Sequence, residues 1–394
     1  MRIIKTYRFR LYPSRKQAYQ LDEFLGIARF AYNRQLELKV NSYKENKKNL
    51  AQFDLNNSLI SLKKENPFLC KLHSQVLQNI NQRIAYAFSS FFNNIKNKSK
   101  AGFPRFKSKN RYDSLTYPQS GFGIKNNKLC LSKVGEIKIK MHRGIKGEIK
   151  KLIIKRTQTG KWHAYFCSEI DAIKPQNNSR KYAGIDMGLN HFYADSNGNL
   201  IDNPRCLRKS ENELAKLQRA HSRKKKGSNN RIKSRIKAAK MHEKITNQRN
   251  DFLHKESRKL AGSYSDIAVE SLRIKNMVKN KYLAKSIADA SWQRFLQMLA
   301  YKVEETGGRI MHVNARGTSQ HCICGSRVEK TLAVRTHKCS NCKIEIDRDI
   351  MSAMLIKKLA FDTSKTTAGS AESNAWGDVP IGMPMNQESL ASDQ

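Results

Sequence analysis

Acidic residues are scarce: 33 Asp and Glu stand against 75 Lys and Arg in 394 residues, a formal charge of +42 and a pI near 10.1. Self-repulsion on that scale is costly unless a polyanion neutralises it, so nucleic acid is the natural partner. Long apolar runs are missing, as are basic amphipathic stretches with a rich apolar face, and the mean hydropathy is -0.68. A membrane partner is therefore not expected. The opening MRIIKTYRFRLYP is too short in its apolar part for a secretory signal, so the chain is expected to be cytoplasmic. Cysteines are modest in number, eight in all. Four of them crowd between residues 322 and 342, which argues for metal ligation in a reducing compartment rather than a disulfide framework. Cys70, Cys130, Cys167 and Cys206 are read as ordinary core or surface residues. Internal repeats are absent. What remains is a length and a 39% apolar content sufficient for two or three domains with real cores.

The stretch IIKTYRFRLYP alternates apolar and polar residues up to Pro13, the pattern of a half-buried strand. Ser14 is placed to cap a helix, in which Leu21, Phe24, Leu25, Ala28, Ala31 and Tyr32 share one face. Leu77, Ile80, Ile84, Phe88, Phe91 and Ile95 make a second stripe, likewise expected to be core. A basic loop with interleaved aromatics follows, AGFPRFKSKNRYDS, carrying Arg105, Lys107 and Lys109. Residues 113–172 are β-rich and are expected to pair with the opening strand, which makes the helices between them an insertion. RKYAGIDMGLNHFYAD reads as a buried strand, a tight glycine turn and a second strand; residues 207–262 and 285–306 read as helices, SDIAVES and GRIMHVN as strands. Within the first of those helical spans, RKKKGSNNRIKSRIKAAK holds nine positive charges and no acid. Lys224, Lys225, Arg231, Lys233 and Arg235 are its candidate phosphate contacts. From about residue 362 the composition turns acidic and polar, as in a disordered tail.

Asp186 ends the apolar run AGID and Glu270 ends IAVE, and Asp349 opens the helix after the cysteines. A carboxylate after a buried strand is expensive unless it binds something. Two divalent cations roughly 3.5–4 Å apart, as used for phosphodiester hydrolysis, need acidic ligands from separate elements. Cys339-x-x-Cys342 is a sound half of a zinc site, and HCICG offers the other half. Four thiolates, Cys322, Cys324, Cys339 and Cys342, are the simplest tetrahedral set; His321 in place of Cys322 is the alternative. His337 is expected on the surface of this knuckle.

The chain resembles the TnpB family, transposon-encoded RNA-guided nucleases related to the type V CRISPR effectors. The motifs are FRLYPSRKQ, FPRFKSK, GIDMGLNHF, NQRNDFLHKESRKL, AVESLRIKNM, TSQHCICG and CSNCKIEIDRD, in order over about residues 5–358. The resemblance implies a multidomain α/β chain. A RuvC-like nuclease domain (178–315 and 347–361) would hold an RNase-H-type mixed sheet with flanking helices. A zinc ribbon for target nucleic acid (316–346) would be inserted in it. A β-rich wedge domain (1–12 and 113–175) would carry a helical recognition lobe (13–112), and 362–394 would be the tail. The family's catalytic carboxylates map to Asp186, Glu270 and Asp349, which implies two Mg²⁺ ions, with Zn²⁺ structural. The implied activity is Mg-dependent DNA cleavage at sites chosen by guide-RNA pairing beside a short flanking motif, in a prokaryotic cytoplasm and on the nucleoid. The guide would derive from the element's own end and the target would be double-stranded DNA. The alternatives are a nuclease-inactive RNA-guided repressor and a transposase or strand-transferase accessory protein. Three departures stand out: Cys322 and Cys324 are one residue closer than the family's usual spacing, ESL stands where the family commonly has Glu-Asp-Leu, and Met351 replaces an Asn. An amide there could orient the neighbouring aspartate, so Met351→Asn is expected to keep or raise activity.

Overall fold

The computed structural model describes residues 2–171, 181–314, 320–330 and 334–362. The expected acidic tail beyond 362 lies outside them. The described residues form two compact units, one of Arg2–Asp171 and one within Ala172–Asp378.

In the first unit the opening strand β1 (Arg2–Tyr12) buries Tyr7, Phe9 and Leu11 and alternates them with polar residues, as its sequence requires. It lies in the middle of a seven-stranded sheet with β2 (Ser114–Tyr117), β3 (Phe122–Lys125), β4 (Lys128–Leu131), β5 (Gly135–Lys140), β6 (Glu148–Arg156) and β7 (Trp162–Asp171), in the order β2-β6-β7-β1-β5-β4-β3. Antiparallel pairs such as Phe9↔Ala164 and Leu11↔Ile139 join β1 to strands more than a hundred residues away. Between β1 and β2 in sequence run the helices α1 (Arg15–Asn46), α2 (Gln52–Glu65) and α3 (Ser74–Lys96). Ser14 does cap α1: its hydroxyl accepts from the Gln17 amide at 3.2 Å, while Gln17 Oε1 accepts from the Ser14 amide at 3.0 Å. The expected α1 stripe is buried throughout. The α3 stripe is buried only as far as Ile84; Phe88 and Phe91 are half-buried and Ile95 is exposed. Past Ile84 the phenylalanines pack on other rings: the loop ring of Phe103 lies 5.5 Å from Phe88 and 5.4 Å from Phe91, and Phe92 lies 6.3 and 5.3 Å from them.

The second unit is built on β8 (Tyr182–Asp186), β9 (His191–Asp195), β10 (Leu200–Asp202), then after α4 (Cys206–Ser222) and α5 (Asn229–Ser263) on β11 (Asp266–Glu270), and after α6 (Ile274–Met277), α7 (Ala284–Ala290) and α8 (Trp292–Glu305) on β12 (Arg309–Val313). Their order is β10-β9-β8-β11-β12. β8, β9 and β10 pair antiparallel; β8–β11 and β11–β12 pair parallel, which is why helical crossovers must separate them. Both long helical spans of the sequence are broken. The first turns at residues 223–228, where Gly227 takes φ +84°, and the second at Ser291, with φ 56°.

A short ribbon, β13 (Thr336–Lys338) against β14 (Glu345–Asp347), leads into α9 (Arg348–Phe361), whose apolar face covers the sheet. The crossing of α9 over β8 is very close. A Cβ on Gly184 would stand 2.1 Å from the Ala353 carbonyl oxygen and 2.5 Å from the Lys357 nitrogen, so only glycine fits. Gly184→Ala should therefore push α9 outward and destabilise this unit by about 3 kcal/mol, the upper range for overpacking. Thermal melting checks this, and an unchanged midpoint would mean the two backbones are not in contact.

Candidate active site and thiol cluster

The parallel register Ile185↔Val269 places the next residues, Asp186 and Glu270, side by side at the C-terminal ends of β8 and β11. Such strand ends are where open α/β sheets bind ligands. Asp349 comes to the same end from the first turn of α9. Its Oδ2 lies 3.8 Å from where a Cβ on Gly188 would be, so the glycine after Asp186 leaves room for it. The three carboxylates feel one another. Asp186 is pushed up from an ordinary 3.8 to about 7, first by burial and then by the negative fields of Glu270 and Asp349, while Arg348 and a backbone hydrogen bond at Met187 act the other way. Asp347 is occupied elsewhere: it caps α9, accepting from the Asp349 amide at 2.8 Å and the Ile350 amide at 3.4 Å.

Sequence reasoning missed the basic group at this site. Arg335 Nη1 lies 3.6 Å from Asp349 Oδ1. With the Asn190 amide oriented to face it, Asn190 Oδ1 accepts from Arg335 Nε at 3.2 Å and also from Nη2. The Arg335 carbonyl in turn accepts from the Arg348 amide at 2.7 Å. One arginine thus ties the β8–β9 turn to the third carboxylate. Nothing in the local sequence LAVRTHK marks it, because both contacts are made by chain reversal.

The four cysteines converge as a set, each sulfur within 4.8 Å of the others, and His321 is outside that set. The Cys322–Cys342 and Cys324–Cys339 sulfurs are 3.5 and 3.7 Å apart. Thiolates about 2.3 Å from a tetrahedral zinc would be spaced about 3.8 Å apart, so the group could hold zinc. The short Cys322-x-Cys324 half works because the chain turns immediately after it, with Gly325 at φ +94° and its amide donating to the Cys322 carbonyl at 2.9 Å. Hydrogen bonds from Ser326 pull the Cys324 thiol down to about 6, whereas burial pushes Cys322 up to about 12; a cation would let all four ionise together.

Two local readings need correcting. His337 is buried, not on the surface, with Nδ1 against Lys330 Nζ, because β13 turns that residue inward. Met351 is 1% exposed and packs with Cys322 and Cys339, so an Asn there would bury an amide among apolar and sulfur atoms. Met351→Asn is thus expected to cost stability, not to raise activity. Arg231 is half-buried, and its Nη1 donates to the Lys224 carbonyl at 2.7 Å and the His221 carbonyl at 3.4 Å, bracing the α4–α5 turn. Lys224 and Lys225 in that turn, and Lys233 and Arg235 on α5, are exposed. In the other unit, Asn33 clamps the Lys107 backbone through bonds of 2.8 and 3.1 Å, leaving Arg105 and Lys109 exposed beside it.

Comparison with known proteins gives the same outline. Residues 165–281 match the OrfB_IS605 family, described as a probable transposase, and residues 292–356 match the Cas12f1-like TNB domain. Residues 1–48 match a helix-turn-helix domain of OrfB_IS605, although here that span is one strand and one uninterrupted helix. A Streptomyces pristinaespiralis protein provisionally named an RNA-guided DNA endonuclease is 32% identical over 359 residues, 89% of this chain and 87% of that one. InsQ of Escherichia coli K12, provisionally named in the same way, is 28% identical over 411 residues, 98% of each chain. The TnpB-like protein L79 of Acanthamoeba polyphaga mimivirus is 25% identical over 201 residues, 46% of this chain and 38% of its own. Among solved structures, a cryo-EM Cas12f1–sgRNA–target DNA complex contains a chain with a TM-score of 0.56 at 15% identity, covering 90% of this chain and 99% of that one, which shows a shared fold. With carboxylates gathered at one sheet end, a thiol cluster before α9, and relatives that match nearly end to end, this chain belongs to the TnpB family.

Proposed function

We propose that the chain is an RNA-guided DNA endonuclease of a transposable element, hydrolysing DNA with Asp186, Glu270 and Asp349 as the ligands of two magnesium ions. The observation that carries this reading is their convergence, with the Asp186 carboxyl raised to about 7 by burial and its two acidic neighbours. Three acids at one sheet end are unfavourable until a cation joins them, and hard carboxylate oxygens suit magnesium. When bound, two such ions would stabilise charge on the attacking and leaving oxygens of a phosphodiester. The protein's own contribution is placement: the β8–β11 register fixes two ligands, the Asp347 cap fixes the turn bearing the third, and Gly184 lets that helix approach. Zinc on the four thiols would hold the ribbon.

In this reading the five-stranded unit is the RuvC-like domain, the seven-stranded sheet the wedge and α1–α3 the recognition lobe. Arg105, Lys109, Lys224, Lys225, Lys233 and Arg235 would hold phosphates of a guide transcribed from the element's end and of its double-stranded target, beside a short flanking motif. The +42 charge supports a nucleic-acid partner of that size.

A raised carboxyl sets the sign of the pH dependence. The folded protein keeps a proton on Asp186 that the unfolded chain releases at its ordinary 3.8, so this group's stabilising contribution is lost as pH rises from there through about 7. Cleavage should rise over the upper part of that same range, as Asp186 becomes free to bind a cation. Magnesium should raise the melting midpoint more at pH 8 than at pH 5; equal shifts would count against a shared carboxylate site. The functional test is to sequence the RNA protected by the purified protein and reprogram it against a plasmid. One defined RNA from beside the gene, directing cleavage to the matching site, is the expected result. Heterogeneous RNA with no directed cleavage would leave the reading without support.

A further inference from the structure

Beside the carboxylates the second unit holds a cavity of about 300 Å³ whose lining includes Leu189, Asn190, Asn203, Arg205, Leu207 and Arg208. We propose that it is the subsite for one nucleotide of the DNA strand being cut, an inference that rests on the endonuclease reading above.

Its position comes first. Leu189 is three residues beyond Asp186, at most about 10 Å of backbone away. Asn190 forms part of the cavity wall and shares Arg335 with Asp349, so one arginine links the cavity wall to the acid cluster. A strand whose phosphate lies at the carboxylates would have its neighbouring nucleotide here.

The charge is equally specific. Asp289 and Glu211 also line the cavity, but both are occupied. Asp289, 8% exposed, accepts from the Leu207 amide at 3.0 Å, the Arg208 amide at 3.3 Å and Arg249 Nη2 at 2.7 Å. Glu211 is paired with Lys285. The first amides of α4 are thus already satisfied, and the arginines Arg205 and Arg208 face solvent beside the exposed Lys285–Glu211 pair, whose charges offset each other. Guanidinium forks match phosphate oxygens.

The rest of the lining suits a base. Two leucines supply apolar walls, while the asparagine amides are largely engaged within the protein, Asn203 with Arg205 and Leu189 and Asn190 with Arg335, so the lining offers little that would select one base over another. That tolerance is what a nuclease directed by base pairing elsewhere requires. The volume lies at the small end of ligand pockets, enough for one nucleotide and too little for a duplex. The shape is also held under strain: Arg205 sits in the left-handed region at φ 48°, ψ 46°. Asn203 braces it, accepting from the Arg205 amide at 3.2 Å and donating to the Leu189 carbonyl at 3.4 Å, which joins the two walls.

The test uses the full chain with its bound RNA and a single-stranded oligodeoxynucleotide bearing a diazirine on one base. Cross-links mapped by mass spectrometry should fall in 187–208, and Arg205→Ala/Arg208→Ala should lower their yield about tenfold, as loss of charge-assisted hydrogen bonds implies. The same variant should lower kcat/KM for guided cleavage to a similar degree, with melting and guided duplex binding unchanged. Arg205→Lys/Arg208→Lys should recover part of both. Cross-links confined to the Lys224–Arg235 run, or a yield indifferent to both variants, would overturn the subsite while leaving guided cleavage intact. Cross-links in 187–208 from a wild type that never cuts would instead retire the endonuclease reading and retain a nucleotide site.

Discussion

Asp349→Ala should lower guided cleavage by about 10³-fold or more, because charge stabilisation at a metal site contributes several kcal/mol to the transition state. Asp186→Ala and Glu270→Ala should do the same, since each of the three is a ligand of a shared site in the proposed mechanism. RNA association and target binding should stay nearly intact, for none of the three lies in the basic segments assigned to phosphates. Asp347→Ala is the informative control. Its carboxylate accepts from two α9 amides, so its loss should cost about 1 kcal/mol of capping and only a modest share of the rate. Single-turnover rates for the four variants, measured with one guide, separate the roles. If Asp347→Ala is as dead as Asp349→Ala, the capping geometry does not describe its function.

Cys339→Ser should release zinc and lower the stability of the second unit by several kcal/mol, since structural zinc contributes folding free energy directly. The effect should extend to catalysis. Cys339 and Cys322 pack against Met351, which sits two residues beyond Asp349 on α9, so a loosened ribbon frees the helix that carries the third carboxylate. His321→Ala should retain zinc and Cys322→Ser should lose it, because the four sulfurs converge and His321 is not among them. Zinc content by mass spectrometry beside thermal melting reads both outcomes. Zinc retained by Cys322→Ser and lost by His321→Ala would reverse the ligand assignment.

Much of this site could be read in the sequence because each part has a local signature. An acid at the end of an apolar run, as in AGID and IAVE, is visible without knowing what lies opposite. The alternation of β1, the Ser14 cap and the α1 stripe are equally local. What the sequence concealed depends on chain reversal and close approach. Arg335 reaches Asn190 and Asp349 only because the ribbon folds back, and His337 is buried only because β13 turns it inward. Gly184 looks like any strand glycine until α9 crosses it. Arg231 has the sequence context of a phosphate contact, yet its guanidinium is engaged by carbonyls of the preceding turn, a bond that no charge count can anticipate. The missing residue between Cys322 and Cys324 looked like a defect, and a glycine turn absorbs it.

The most direct measurement is plasmid cleavage in magnesium, run beside a gel shift with the same RNA and target, for the wild type and for Asp349→Ala. The expected result is a linear product from the wild type alone, with equal target binding by both. Wild-type cleavage rates from Asp349→Ala, or a wild type that binds the guided target and never cuts it, would contradict the assignment of the three carboxylates as the centre of a nuclease.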